Sequence, residues 1–369
     1  MAVANLYKIN KEDNPMKQRK VLALMLSLTM LCGLLSGCVY INSEATIHED
    51  GSGTVTFASG MLADEEIELE EGQEIFEANG KQYVGKSETY EFPSVEEFNK
   101  LFVPGEDGAI VDNDNVRCEL RKNSDGSMTL VLFFRQKEET KEAEESAQSA
   151  EETELSPEEA QQLEEATEAM LADGYMRYSF QFDRPIRQIA GPTEAVSIDG
   201  ASLVIDLLKQ AQEDTDSTYV FITDVASTVA PTKQALKIDG ELKEAEIYNI
   251  NGANYFKLRD MAALLSGSAA QFSVDYDGAT GTVLIKTGEA YTTVKGDLTM
   301  PDAEKAAAKA AGAVKSAQSL TINGEPTYLA PYNIGGNNYF ALRDLGSALG
   351  FHVDYDGATA TMLVDTSAK

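Results

Sequence analysis

Residues 238–287 read IDGELKEAEIYNINGANYFKLRDMAALLSGSAAQFSVDYDGATGTVLIKT, and residues 322–366 read INGEPTYLAPYNIGGNNYFALRDLGSALGFHVDYDGATATMLVDT. Both stretches contain the pattern I-x-G-x₇-Y-x-I-x-G-x-N-Y-F-x-L-R-D, 84 residues apart, and both continue to V-D-Y-D-G. The first copy holds five extra residues before its V-D-Y-D-G. An internal duplication of this kind predicts a structural unit that occurs twice.

Each copy predicts the element order β-β-β-α-β-β. Asp-Gly, Asn-Gly and Gly-Gly pairs mark the hairpin turns, and V-D-Y-D-G closes the last hairpin. Between the hairpins, apolar residues at helical spacing predict a short helix: Leu258, Met261, Leu264 and Leu265 in one copy, Leu342, Leu345 and Leu349 in the other. We therefore expect repeat 1 over residues 226–299, an Ala-rich helix or tether over 300–318, and repeat 2 over 319–369.

The repeated pattern resembles the copper amine oxidase N-terminal-like, or stalk, domain family across residues 226–369. The resemblance implies accessory modules of Gram-positive surface proteins. It does not imply oxidase activity, because copper in that reaction needs three histidines, and this chain has 2 His in all. The cofactor tyrosine would also need an acidic residue after it, whereas Phe follows both Asn-Tyr pairs. We expect no cofactor and no metal.

The repeats supply the candidate ligand-binding residues. The tyrosines are able to stack on sugar rings, although alternating strand positions favour a core role. The arginines are able to bind a carboxylate or phosphate on a glycan, although pairing with the next aspartate to tie the helix start to the sheet is favoured. The candidates are Tyr248, Tyr255, Arg259, Tyr332, Tyr339 and Arg343.

The start of the chain carries an export signal. Basic residues within 17–20 precede the apolar run 21–35, which is typical of a secretory signal peptide and too short to favour a membrane-spanning helix. The following Leu35-Ser36-Gly37-Cys38 resembles the bacterial lipobox. That resemblance implies a lipoprotein signal peptide over 1–38, a lipid on the Cys38 sulfur, and a location on the extracytoplasmic face of a bacterial plasma membrane.

Residues 39–225 predict an acidic, mostly antiparallel α+β domain with about seven strands. It holds 43 Asp and Glu against 13 Lys and Arg, with an acidic insertion over 137–168. The strand, Asp-Gly-Ser-Gly turn and strand near its start resemble the LppM-type lipoprotein domain, which implies an extracytoplasmic binding domain with lipid headgroups as one ligand class. Cys118, in an alternating stretch, is expected to be buried in a strand.

Composition excludes several kinds of partner. The formal net charge is −31 and the sequence pI is about 4.3. Nucleic acid and anionic lipid both require a basic surface, so we expect no nucleic-acid partner and no electrostatic docking to a membrane. Contact with the membrane is expected through the Cys38 anchor alone.

The fold expected is α+β: an N-terminal, mostly antiparallel β domain with an acidic helical insertion, followed by two small repeats. The function expected is a non-enzymatic surface lipoprotein that binds or displays, with a cell-wall polymer or another surface protein as partner. The alternative is a lipid- or small-ligand-binding lipoprotein in which the repeats act as a spacer. A wall hydrolase that uses paired carboxylates is a third interpretation, but the sequence offers no site for it.

Overall fold

The computed structural model describes residues 39–63, 69–103, 116–135, 174–211 and 216–367. Over these ranges the chain is mainly strand, arranged in five sheets with short helices, which confirms a strand-rich α+β fold. The predicted signal peptide and the acidic insertion 137–168 lie outside the described residues. Among the described residues, no helix is long and apolar enough to cross a bilayer.

Eleven strands and two helices are described in the N-terminal domain, residues 39–225. They are β1 (Val39–Ile47), β2 (Gly53–Leu62), β3 (Glu74–Ala78), β4 (Lys81–Phe92), α1 (Val95–Lys100), β5 (Val116–Lys122), β6 (Met128–Phe134), β7 (Tyr175–Phe182), β8 (Ile186–Ala190), β9 (Val196–Asp199), β10 (Ser202–Asp206), α2 (Leu207–Gln210) and β11 (Ser217–Thr223). The expected number, about seven, was too low. Strands such as β3, EIFEA, have an acidic and largely exposed sequence that gives no clear alternation.

Two sheets face each other in this domain. One has the order β3-β4-β2-β1-β7-β10-β9 and the other β5-β6-β11-β8. Every pairing is antiparallel except that of β1 with β7. Inward side chains of both sheets form one apolar core, as alternation along each strand requires. Cys118, 4 % exposed on β5, belongs to that core, so the buried strand cysteine is confirmed.

The remaining elements form the repeat unit, residues 226–367. They are β12 (Val229–Thr232), β13 (Ala235–Ile238), β14 (Glu241–Lys243), β15 (Ile247–Ile250), β16 (Ala253–Lys257), α3 (Leu258–Leu265), β17 (Phe272–Asp277), β18 (Thr282–Thr287), α4 (Ala303–Ala311), β19 (Val314–Lys315), β20 (Leu320–Ile322), β21 (Glu325–Thr327), β22 (Tyr332–Ile334), β23 (Asn337–Ala341), α5 (Leu342–Leu349), β24 (His352–Asp356) and β25 (Thr361–Asp365).

The predicted local elements of each copy are present. Asp239-Gly240, Asn251-Gly252 and Asn323-Gly324 all have positive φ at both residues, as tight primed hairpin turns demand. The V-D-Y-D-G hairpins form between β17 and β18 and between β24 and β25. Each copy also has two strands that were not predicted, a first strand and a short partner of the second. The repeat order is therefore β-β-β-β-β-α-β-β.

The two copies are interleaved. The central sheet joins them through β16 and β23, in the order β12-β15-β16-β23-β22-β19. The first hairpin of copy 1 pairs with the last hairpin of copy 2, in the order β14-β13-β25-β24. The first hairpin of copy 2 pairs in the same way with the last hairpin of copy 1, in the order β17-β18-β20-β21. The copies thus form one pseudo-symmetric unit, where the sequence suggested two separate ones.

One apolar core serves both copies, which explains the exchange of hairpins. It includes Met261 and Leu265 from α3 and Leu342 and Leu345 from α5. A unit of about 50 residues buries a smaller fraction of its surface than a larger domain does and is marginal alone. Combining two such units into one core removes that deficit.

The first half of the Ala-rich segment forms helix α4 (Ala303–Ala311), and strand β19 (Val314–Lys315) follows it. Asp302 caps the helix by accepting a hydrogen bond from the Lys305 amide, at 2.9 Å. Ala306 and Ala310 are buried against the repeat unit. The segment is therefore packed onto the fold.

Candidate functional site

The four candidate tyrosines lie inside the central sheet of the repeat unit. Tyr248 and Tyr339 pack edge to face with ring centroids 5.2 Å apart, and Tyr255 and Tyr332 do so at 5.4 Å. All four residues are at most 1 % exposed. Each ring therefore packs against a ring of the other copy, and no ring face is open for a sugar. Their role as ligand contacts stays a prediction, and this arrangement does not favour it.

In copy 1 these tyrosines border a buried ion pair. The Tyr248 hydroxyl donates to Glu246 Oε1 at 2.6 Å, and Lys309 Nζ of helix α4 donates to both Glu246 oxygens at 2.9 and 3.1 Å. Glu246 is 6 % exposed. A buried carboxylate needs a charged or hydrogen-bonding partner. Lys309 of α4 supplies the positive charge that compensates for the burial of Glu246.

The Arg-Asp pair of copy 1 holds the segment that follows the repeat. Asp260 Oδ1 accepts a hydrogen bond from the Leu298 amide at 2.9 Å and lies 2.7 Å from Lys257 Nζ. Arg259 Nε lies 3.5 Å from an oxygen of Asp297. Arg259 and Asp260 are therefore not paired with each other, as the sequence had suggested. Each instead contacts the segment near residue 297, and Asp260 also contacts Lys257 at the helix start.

Copy 2 lacks the acid of copy 1, and the N-terminal domain replaces it. The position equivalent to Glu246 is Ala330. Its place as acceptor is taken by Asp125, in the turn between β5 and β6, whose Oδ2 accepts from the Tyr332 hydroxyl at 2.9 Å and from Lys315 Nζ at 2.5 Å. The Asp125 side chain is 0 % exposed and that of Lys315 10 %.

Copy 2 also lacks the lysine that, in copy 1, pairs with the aspartate shared by both copies. The position equivalent to Lys257 is Ala341. Ser124 of the same N-terminal turn instead donates its hydroxyl to Asp344 Oδ1 at 2.6 Å. In copy 2, the turn Ser124–Ser127 thus supplies the hydrogen-bond partners that the repeat's own residues supply in copy 1.

We call this contact the junction and define it by Ser124, Asp125 and Ser127 on one side and Lys315, Tyr332 and Asp344 on the other. An apolar cluster extends it, in which Val220 and Ile222 of β11 meet Tyr328 and Ala330. Arg121 adds hydrogen bonds to Thr327 Oγ1 at 2.9 Å and to the Tyr328 carbonyl at 3.1 Å. The polar part and the apolar part together fix one orientation of the two domains.

The two junction carboxyls titrate differently. Burial alone would raise the pKa of Asp125, but the Lys315 ammonium and the hydrogen bonds from Lys315 and Ser127 hold it below the usual value. Burial raises the pKa of Asp344, and the Ser124 hydrogen bonds compensate only in part. The ionised Asp344 is thus a cost to the folded state at neutral pH.

Replacing Asp344 with Asn is expected to stabilise the protein at pH 7. The folded state raises this pKa above its usual 3.8, so protonation of Asp344 favours folding. That contribution to the free energy of unfolding is complete below the unfolded pKa and is lost as the pH rises through the folded pKa. Asn carries no charge and still offers Oδ1 to Ser124. Urea denaturation from pH 4 to 7 should show the advantage of Asp344→Asn growing with pH. An exposed control, Asp354→Asn, should show no such growth, and a constant difference for Asp344→Asn would contradict the assignment.

Of the candidate arginines, Arg343 is exposed and Arg259 is half-buried beside Asp297. Sequence reasoning missed Ser124 and Asp125, which lie far from the repeats along the chain, and Lys315, which lies in the segment between the two copies. One signal for them exists: the second copy has alanine at two positions where the first has a charged side chain.

Comparison with known proteins places the chain in no family. No protein-family model matches it, and neither does any curated protein. A solved structure with some similarity is the NMR structure of the folded domain of the Mycobacterium tuberculosis protein LppM, which is 11 % identical. The match covers 51 % of this chain and 90 % of that domain, with a TM-score of 0.28. A score this low does not establish a common fold.

Proposed function

We propose that the protein is a non-enzymatic surface lipoprotein, anchored by lipid on Cys38, that displays its repeat unit towards the cell wall in a fixed orientation. The observation that carries the proposal is the junction. Its charged pair is almost fully buried, and removing either partner would leave an unpaired charge in the interior. Such a contact supports a rigid display, because domains that moved independently on a flexible spacer would not keep a buried charged pair between them.

The acids of the described chain support a role without catalysis. The buried carboxyls Glu246 and Asp125 each accept from a lysine and a tyrosine, so their oxygens are occupied. Among the described residues, no group of three or more His, Cys, Asp or Glu side chains could hold a metal ion. We assign the work of the protein to binding, with a wall polymer or a second surface protein as the partner of the repeat unit.

The repeat unit offers an exposed arginine for that partner. Arg343 is exposed at the start of α5, directly before the aspartate that holds the junction. A carboxylate or phosphate on a wall polymer suits a guanidinium, which donates in a planar fork. The stalk-like pattern of the sequence is consistent with this role.

The anchor is tested by replacing Cys38 with Ala in cells of a Gram-positive host. The variant is expected to lose most of its membrane-bound fraction, since the sulfur that would carry the thioether-linked diacylglycerol, with its two acyl chains, is missing. Cys32→Ala, within the same predicted signal peptide, is the matched control and should stay in the membrane fraction. A tag after Lys369 should react with antibody on wall-stripped cells that carry wild-type protein. Equal retention of both variants, or an inaccessible tag, would contradict the proposal.

A further inference from the structure

Three large apolar side chains are exposed at the end of β2 and the start of β3, and a fourth follows in the connection between these strands. Met61 is 57 % exposed, Leu62 37 %, Leu69 49 % and Ile75 42 %. We call them the anchor-side patch. Apolar groups collected in this way usually mark a contact with another molecule.

The strand register places the patch beside the first residue of β1. Met61 pairs with Val39, Leu62 pairs with Tyr83, and Ile75 pairs with the next residue of β4, Val84. Paired residues across a sheet lie about 5 Å apart. Met61 therefore lies next to the point at which β1 begins, and Ile75 lies on the same face two strands further out. Leu62 projects from the opposite face, so the patch occupies both faces of this end of the sheet.

The outer face behind the patch is stiffened by aromatic rings. Tyr40 stacks on Phe76 with ring centroids 4.8 Å apart and on Tyr175 at 5.0 Å. The Arg177 guanidinium lies 4.5 Å from the centroid of the Tyr175 ring. The Tyr40 ring thus reaches across β2 and β4 to Phe76 on β3 and contacts Tyr175 on the neighbouring strand β7, which makes this end of the sheet well packed and apolar.

Covalent geometry places the patch next to the predicted lipid. Val39 follows Cys38 directly, and consecutive Cα atoms are about 3.8 Å apart. No spacer therefore separates the acylated residue from the sheet. With the lipid in the bilayer, Val39 and its cross-strand neighbour Met61 must both be at the membrane surface.

We propose that the anchor-side patch lies on the phospholipid bilayer and inserts Met61, Leu62 and Ile75 among the acyl chains near the surface. This rests on the proposed anchor at Cys38. The contact turns a single flexible attachment into a two-point one, and so fixes the angle at which the N-terminal domain and the repeat unit leave the membrane.

The surrounding charges make this contact dependent on the anchor. Glu70, Glu71, Glu74 and Glu77 are exposed beside the patch and are repelled by anionic lipid. The chain without its lipid is therefore expected to stay off the membrane. Attachment at Cys38 overcomes the repulsion because it raises the local concentration of bilayer at the patch.

Tryptophan fluorescence gives a direct test, because the chain has no Trp of its own. Residues 38–369 carrying Met61→Trp are coupled through Cys38 to a maleimide lipid. The vesicles hold phosphatidylcholine and phosphatidylglycerol, with or without brominated phosphatidylcholine as a quencher. Cys118 will not compete for the maleimide, since it is buried and burial raises the pKa of its thiol well above the usual value. The control is Tyr276→Trp, which replaces a residue 59 % exposed in the repeat unit.

Brominated lipid is expected to quench the Met61→Trp signal by about twofold, as for a side chain at the acyl boundary. It should leave Tyr276→Trp unchanged, and it should quench neither variant before coupling. Equal quenching of both variants, or none after coupling, would overturn the patch while leaving the anchor untouched. A dimer of the uncoupled protein that Met61→Glu dissociates would also overturn it, because a second copy would then cover the patch. The Cys38→Ala experiment decides the anchor separately.

Discussion

Replacing Asp125 with Ala is expected to lower the free energy of unfolding by about 3–5 kcal/mol, the usual effect of removing one partner of a buried ion pair. The change leaves the Lys315 ammonium in a site where its side chain is 10 % exposed. It also removes an acceptor of the Tyr332 hydroxyl. Circular dichroism in increasing urea measures the effect. Proteolysis within residues 224–228, the exposed link between the domains, should accelerate in parallel.

The chain contains a matched control for this variant. Asp50 begins the same Asp-Gly-Ser turn as Asp125, and its Oδ1 accepts from the amide and hydroxyl of Ser52 at 2.9 and 2.6 Å. It is exposed, and Lys122 influences it only through a minor electrostatic interaction. Asp50→Ala should therefore have a much smaller effect. Equal effects for the two variants would show that the junction adds nothing beyond the turn itself.

A second substitution separates loss of the pair from loss of the turn. Lys315→Met removes the cation, so the double variant Asp125→Ala/Lys315→Met leaves no unpaired charge inside. It should be more stable than Asp125→Ala alone, which is the non-additivity expected of residues in contact. Additive losses would contradict a direct ion pair.

Deleting residues 319–369 is expected to unfold copy 1 as well as remove copy 2. The deletion takes away the partners that β13, β16 and β18 have in copy 2 and 8 of the 21 buried residues of the common core. The N-terminal domain, whose core lies wholly before residue 226, should stay folded. Limited proteolysis should then leave a fragment that ends near residue 225, and amide signals of residues 226–299 should lose their dispersion.

A nick is the control for this deletion. Cleavage between Thr299 and Met300, in an exposed segment, breaks the chain without removing any strand. The fragments 39–299 and 300–369 should then elute together in gel filtration and separate only in denaturant. A folded copy 1 after the deletion, or free separation of the nicked fragments, would show that the copies are independent.

Local chemistry allowed much of this fold to be predicted. Turns such as Asn251-Gly252 depend on backbone conformations that few residues adopt, so the sequence marks them directly. Met261 and Leu265 fit a helix because their spacing puts them on one face. Tyr248 and Tyr255 were expected in the core from alternation, and they are fully buried.

The pairing between copies was not predictable in the same way. Strand β13 has an equally suitable edge in β18 of its own copy and in β25 of the other, because the two hairpins have almost the same sequence. The local pattern is satisfied by either choice. Only the closure of the whole core, with α3 and α5 on the same side, decides between them.

The junction was hidden for a related reason. Asp125-Gly126-Ser127 and Asp50-Gly51-Ser52 have identical local chemistry, and both form the same type of turn, although only the second was predicted. One turn stays in solvent and the other enters the repeat unit. That difference depends on which surface lies opposite, which is a property of the folded chain and not of the turn.

The reciprocal exchange of hairpins also limits how such a chain can lengthen by duplication. The first hairpin of each copy pairs with the last hairpin of the other, so every first and last hairpin of the two copies already has its partner. In a third copy, the first hairpin would have no hairpin to pair with, and the last hairpin would expose an unpaired edge. Such an edge promotes aggregation. Growth of this architecture is therefore expected to proceed two copies at a time.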